Sequence, residues 1–93
     1  MEIEFRIQYH SKVISDDIPK LPPVWKRKIK KAIEEKLTVK PEVFGKPLRK
    51  SLKGYRKLRV GDYRVIFRIE KRTVKIFVIQ HRKEIYLSIQ KRN

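Results

Sequence analysis

Residues 2–9 read Glu-Ile-Glu-Phe-Arg-Ile-Gln-Tyr, a strict alternation of polar and apolar positions. A period of two puts Ile3, Phe5, Ile7 and Tyr9 on one face of a half-buried strand. Residues 11–21 offer Ser and Asp side chains suited to capping, but Pro19 has no amide hydrogen for a continuing helix, so a short or broken helix is expected. After Pro22 the period changes. Trp25, Ile29, Ala32, Ile33 and Leu37 recur at i, i+4, i+7 and i+8, the buried stripe of an amphipathic helix with Pro22 or Pro23 in its first turn. Residues 38–52 contain Pro41, Gly45 and Pro47 and predict a connector with at most a single turn.

Three strands follow at residues 55–60, 63–69 and 73–80, separated by Gly61-Asp62 and by Glu70-Lys71-Arg72. Links this short predict hairpins and antiparallel pairing. The last of these strands is apolar on both faces through Val74, Ile76, Phe77, Val78 and Ile79, which places it inside the sheet. The tail, residues 84–93, predicts a helix. The order β, α, α, β, β, β gives the α+β class: a twisted, mainly antiparallel four-stranded sheet with helices packed on one face.

At 93 residues the chain forms one domain, residues 1–93. Lys and Arg number 26 against 10 Asp and Glu, a net charge of +16 that seeks polyanions. Such a charge often marks a chain unable to fold unaided. Four Tyr, four Phe and one Trp recurring at regular spacings argue instead for a small packed core. The chain has no cysteine, which removes disulfides, thiolate zinc sites and cysteine nucleophiles, and fits a reducing cytosol. The longest apolar run is Ile76-Phe77-Val78-Ile79, so neither a membrane span nor a secretory leader is expected.

The charge is uneven. Up to Gly45 the chain carries +3, and beyond it +13. In the basic part Lys53, Arg56, Lys57, Arg59, Arg64 and Arg68 interleave with Tyr55, Tyr63 and Phe67, a mixture of cationic and π surface that suits single-stranded RNA. A second basic block, Lys26, Arg27, Lys28, Lys30 and Lys31, lies on the main helix, either as its solvated face or as a docking surface.

With only His10 and His81 and few carboxylates in the basic part, metal, paired-carboxylate and serine-triad chemistries find little support. What remains is Lys, Arg, His and Tyr around a phosphate. Cleavage of RNA by its own 2′-hydroxyl needs in-line geometry, a proton acceptor, charge stabilisation at phosphorus and a proton for the leaving oxygen. Arginines supply the stabilisation through bidentate contacts. Crowding by other cations disfavours the charged form of a lysine and suits it to act as a base. Lys57, beside Arg56 and Arg59, is the candidate.

The run Gly54-Tyr-Arg-Lys-Leu-Arg-Val-Gly-Asp-Tyr-Arg-Val-Ile-Phe-Arg-Ile69, followed by residues 74–79 and by His81-Arg-Lys-Glu-Ile-Tyr86, resembles the core signature of the RelE/ParE toxin superfamily, and specifically its RelE-like branch. The resemblance implies a toxin silenced by a RelB-like antitoxin through an acidic or amphipathic segment, within a higher hetero-oligomer in the cytoplasm. For RelE-like members it implies an endoribonuclease that cuts messenger RNA in the ribosomal A site without metal or cofactor. It also assigns roles. Lys57 matches a catalytic lysine, Arg64 the arginine of the next strand, Arg82 the late basic residue and Tyr86 the tyrosine that stacks on a base. Lys83 is the alternative to Arg82, because the spacing to Tyr86 is short. Tyr55 stands where some members have a second lysine, so His81 is expected to share proton transfer. Lys53, Tyr55, Arg56, Arg59, Arg68 and Lys83 complete the expected RNA-binding set. The same fold also serves ParE-like toxins that bind DNA gyrase without nuclease activity, and members that only bind their antitoxin.

Overall fold

The computed structural model describes residues 4–92, apart from the side chain of Ser51. Strand β1, Arg6–Tyr9, keeps the predicted alternation, with Ile7 and Tyr9 packed on the core. Ile3, at the start of the predicted strand, and Asn93, at the end of the predicted helix, lie outside the described residues. The segment around Pro19 is helical but interrupted: a π-helical turn, Val13–Asp17, runs into a three-residue helix α1, Ile18–Lys20. Helix α2, Pro23–Ala32, begins with proline in its first turn and continues as a π-helical turn, Ile33–Leu37. A single turn α3, Pro41–Phe44, a two-residue strand β2, Lys46–Pro47, and a 3-10 turn, Lys50–Leu52, fill the predicted connector.

The hairpins are as expected, with β3 at Tyr55–Val60, β4 at Tyr63–Glu70 and β5 at Thr73–His81, followed by helix α4, Ile85–Arg92. The sheet order is β1-β5-β4-β3-β2, so the strand that is apolar on both faces has a partner on each side. β1 joins β5 in parallel and the other pairs are antiparallel. The sheet therefore has five strands rather than four. β2 is too short for its two residues to show any periodicity.

Helix placement differs as well. Ile29, Ile33 and Leu37 cover one face of the sheet together with Val13 and Leu21, over Leu58, Val65, Phe67, Val74, Ile76 and Ile79. α4 covers the opposite face, where Ile85 and Ile89, four positions apart, pack on Ile66 and Val78. Burying two isoleucines at about 1.5–3 kcal/mol each is enough to hold this short helix down. A register shift between Ile66 and Phe67 sorts the apolar run of β5, with Val78 opposite Ile66 and Ile76 opposite Phe67. The intervening residue is an inserted one, so Phe77 joins Val78 on the α4 side while Ile76 and Ile79 stay on the α2 side. Gly61 turns the β3–β4 hairpin at φ +59°, and a Cβ there would lie 2.3 Å from the Trp25 ring. Among the described residues, no helix is long and apolar enough to cross a membrane.

Candidate nucleic-acid interface

Strand register determines which cations meet. Lys46 lies directly opposite Lys57, and Arg59 directly opposite Arg64. Cross-strand partners share a face, so two like-charged pairs sit in successive rows of the sheet. Such pairs weaken a sheet unless an anion lies between them. Lys57, Arg59 and Arg64 line a cleft of about 280 Å³ whose other walls are Lys36, Phe44, Lys46 and Leu58. None of the five cations makes an ion pair among the described residues, and no carboxylate lines the cleft. Arg64 is anchored from behind, its Nη1 donating to the carbonyls of Gly61 and Tyr63, each at 2.9 Å.

The cleft wall formed by α3 and β2 is braced. Arg56 Nη1 donates to the carbonyl of Gly45 at 2.9 Å and to that of Glu42 at 3.2 Å. Gly45 is buried so tightly that a Cβ would lie 2.2 Å from the Phe67 ring. Arg56, expected to contact RNA, thus directs its guanidinium at this wall, on the face opposite Lys57. Lys36 places its Nζ 5.6 Å from the centre of the Phe44 ring. Lys36, Phe44 and Lys46 escape notice in the sequence because they come from a helix and a connector with no chemical motif. An aromatic residue left in a connector of this kind was the one signal available.

The remaining expected residues lie elsewhere. His81 packs edge-on against Tyr63 at 5.5 Å, and Tyr63 packs on Trp25, which puts the imidazole on the α2 face. Its Nδ1 accepts from the Lys83 backbone at 3.2 Å. Arg82 is tied to the β3–β4 turn, its backbone N–H donating to the Asp62 carbonyl at 2.9 Å and its Nε lying 3.9 Å from the Asp62 carboxylate. Lys53 and Lys83 are exposed. Tyr86 is 50% exposed in the first turn of α4.

Tyr55 and Arg68 belong to a second hollow, of about 380 Å³, shared with Gln8, His10, Lys75 and Phe77. There Tyr55 stacks on Phe77 at 5.1 Å, with the Arg68 guanidinium 5.6 Å above the Tyr55 ring. Glu70 pairs with Arg68 and with Lys75, the latter at 2.6 Å. The hydrogen bond from Lys75 outweighs partial desolvation and, with the charge of Arg68, holds the Glu70 carboxyl below its ordinary range. This hollow is therefore partly neutralised, one carboxylate against two cations, whereas the Lys57 cleft has no carboxylate among its lining residues. Among the described residues, no group of three or more His, Asp or Glu is placed to hold a metal ion.

The ParE toxin family of type II toxin-antitoxin systems matches residues 7–86. Toxin RelG from Mycobacterium tuberculosis is 41% identical over 76 residues, covering 75% of this chain and 83% of its own. The RelBE2 toxin-antitoxin complex from the same organism superposes with a TM-score of 0.79 at 30% identity, over 85% of this chain and 99% of that one. The RelB-RelE antitoxin-toxin complex of Methanococcus jannaschii shares the fold, with a TM-score of 0.67 at 24% identity over 85% of this chain and 94% of that one. The chain belongs to the ParE toxin family, and with it to the RelE/ParE superfamily of toxins of toxin-antitoxin systems.

Proposed function

We propose that this toxin is a metal-independent endoribonuclease that cuts messenger RNA in the ribosomal A site. The observation that carries this reading is the carboxylate-free cleft in which Lys57, Arg59 and Arg64 converge. Phosphoryl transfer to the adjacent 2′-oxygen forms an O2′–P bond and breaks P–O5′, concentrating negative charge on the phosphate oxygens. Arg64, pinned by two carbonyls, and Arg59 opposite it are preorganised to stabilise that charge. Lys57 takes the 2′-hydroxyl proton. Tyr86, exposed on α4, stacks on a base of the codon, and Arg82 or Lys83 adds positive charge beside the RNA. Water protonates the leaving O5′, since His81, expected to share proton transfer, packs on Tyr63 on the α2 face. Lys53, Tyr55 and Arg68 extend the contact along the RNA. A RelB-like antitoxin, acidic or amphipathic, covers the same basic surface in a hetero-oligomer, as the antitoxin-bound relatives suggest.

A second reading is inhibition of DNA gyrase without nuclease activity. It is favoured by the ParE description of the matching family and by the position of His81 on the face away from the cleft. Toeprinting on programmed ribosomes with the purified chain tests the choice. Cleavage within the A-site codon, with gyrase supercoiling unaffected, is expected. Gyrase inhibition without any cut would establish the second reading instead.

A further inference from the structure

Phe44 belongs to neither core cluster and is 42% exposed beside five cations. A large aromatic side chain left in water gains nothing for the fold. The segment that carries it is nonetheless held rigidly, by Arg56 on the Glu42 and Gly45 carbonyls and by the close seat of Gly45 on Phe67. A ring fixed in place but left uncovered is what a stacking platform requires.

The cations beside it are spaced to match. The Lys46/Lys57 and Arg59/Arg64 rows are two residues apart along β3, about 7 Å, a separation that one nucleotide of an extended strand spans. Each row has two cations facing each other with no counterion among the described residues, a seat for one phosphate. Lys36 rests over the ring by cation–π attraction and is free to swing to an incoming phosphate, since it makes no ion pair among the described residues.

We infer that Phe44, with Lys36 and Lys46, forms a nucleotide subsite of the cleft, in which the base flanking the scissile phosphate stacks on the Phe44 ring and the two lysines hold the neighbouring phosphate. This rests on the nuclease reading for the identity of the scissile phosphate, but the subsite itself is a statement about single-stranded RNA binding. An acidic peptide would use the lysines and have no use for the ring.

The test is binding of a short single-stranded RNA, made uncleavable by 2′-O-methylation, to the full chain by fluorescence anisotropy, with Phe44→Leu, Phe44→Tyr and Lys46→Gln variants of unchanged melting temperature. Phe44→Leu is expected to weaken binding roughly 10-fold, from lost base stacking, and Phe44→Tyr to restore it. Lys46→Gln is expected to lower the slope of log affinity against log salt by about 1. Equal affinities for Phe44→Leu and the parent would overturn the subsite, as would an equal loss of affinity for a poly-glutamate peptide. Ring-dependent binding in a parent that cuts no messenger RNA on ribosomes would sink the nuclease reading and leave the subsite standing.

Discussion

Asp17 and Arg92, 75 residues apart in the chain, form a bidentate ion pair, with Nη1 donating to Oδ2 at 2.8 Å and Nη2 to Oδ1 at 3.0 Å. Both side chains are sequestered, at 1% and 10% exposure. The Asp17 carboxylate also accepts from the Ile79 backbone at 2.9 Å and from Gln80 at 3.0 Å, while Arg92 donates to the Phe77 carbonyl at 2.9 Å. One carboxylate thus ties the helical segment before α2, the part of β5 beyond its pairing with β1 and the last turn of α4. Asp17→Ala strands a buried cation and a strand amide together, a loss of about 3–5 kcal/mol. In a domain this size that lowers Tm by more than about 10 °C. Adding Arg92→Met recovers part of the loss, and a thermal-melt double-mutant cycle measures the coupling. Purely additive effects would contradict the pairing.

Acid should attack the same joint. Burial alone raises the Asp17 carboxyl, but the bonds from Arg92, Gln80 and the Ile79 amide, with the Arg92 charge, outweigh it and hold the group below the ordinary carboxylate range. The folded chain therefore binds this proton less readily than the unfolded one. The stabilisation is complete above the unfolded value, about pH 4, and is lost as pH falls through the lower folded one. The parent Tm is expected to drop steeply between about pH 5 and 2, and the Asp17→Asn curve to be flatter. Repulsion among the other charges is common to both proteins, so the difference isolates Asp17.

Arg59 opposite Arg64 is expected to cost stability and to serve RNA binding. Arg59→Gln removes the like-charge pair and is expected to raise stability by about 0.2–1 kcal/mol at low salt. The same change should weaken single-stranded RNA binding and lower the salt slope by about 1. Calorimetry and anisotropy on one preparation show whether the two move in opposite directions. If both fell, the pair would be structural.

Arg64→Ala is expected to slow A-site cleavage by 10²- to 10³-fold, about 2.7–4 kcal/mol of transition-state stabilisation by analogy with a lost oxyanion donor. Its bonds to the Gly61 and Tyr63 carbonyls cost only about 1 kcal/mol to lose, since water reaches this turn. Lys57→Ala should behave similarly. Toxicity retained in both variants at matched expression and melting would move the assignment to gyrase.

Tyr86 acts through its ring in this mechanism. Its exposure means that replacement leaves the core intact. Tyr86→Ala is expected to slow single-turnover cleavage roughly 10- to 100-fold, the worth of one stacked base, and Tyr86→Phe to stay within about a few-fold of the parent. The reverse ranking would assign the phenol a proton-transfer role.

The elements of this fold are legible because their signals are local. The alternation in β1, the helical spacing from Trp25 to Leu37 and the two hairpin links each follow from backbone periodicity within a few residues, and the Leu58-to-Arg64 hairpin carried the family resemblance. Which faces those residues share is not local. The inserted Phe77 breaks the alternation of β5, leaving the adjacent Phe77 and Val78 on one face and Ile76 and Ile79 on the other, and the insertion exists only once β4 and β5 pair. The same holds for the site. Lys57, Arg59 and Arg64 lie in one run of sequence and were found there, whereas Lys36, Phe44 and Lys46 join them only after α2 and β2 pack around β3. The closeness of His81 and Arg82 to Tyr86 in sequence said nothing about which side of the sheet each side chain takes. Local periodicity was enough to determine the strands and helices. Long-range pairing decided which charges face one another, because strand register is an energy shared between distant segments rather than a property of either one.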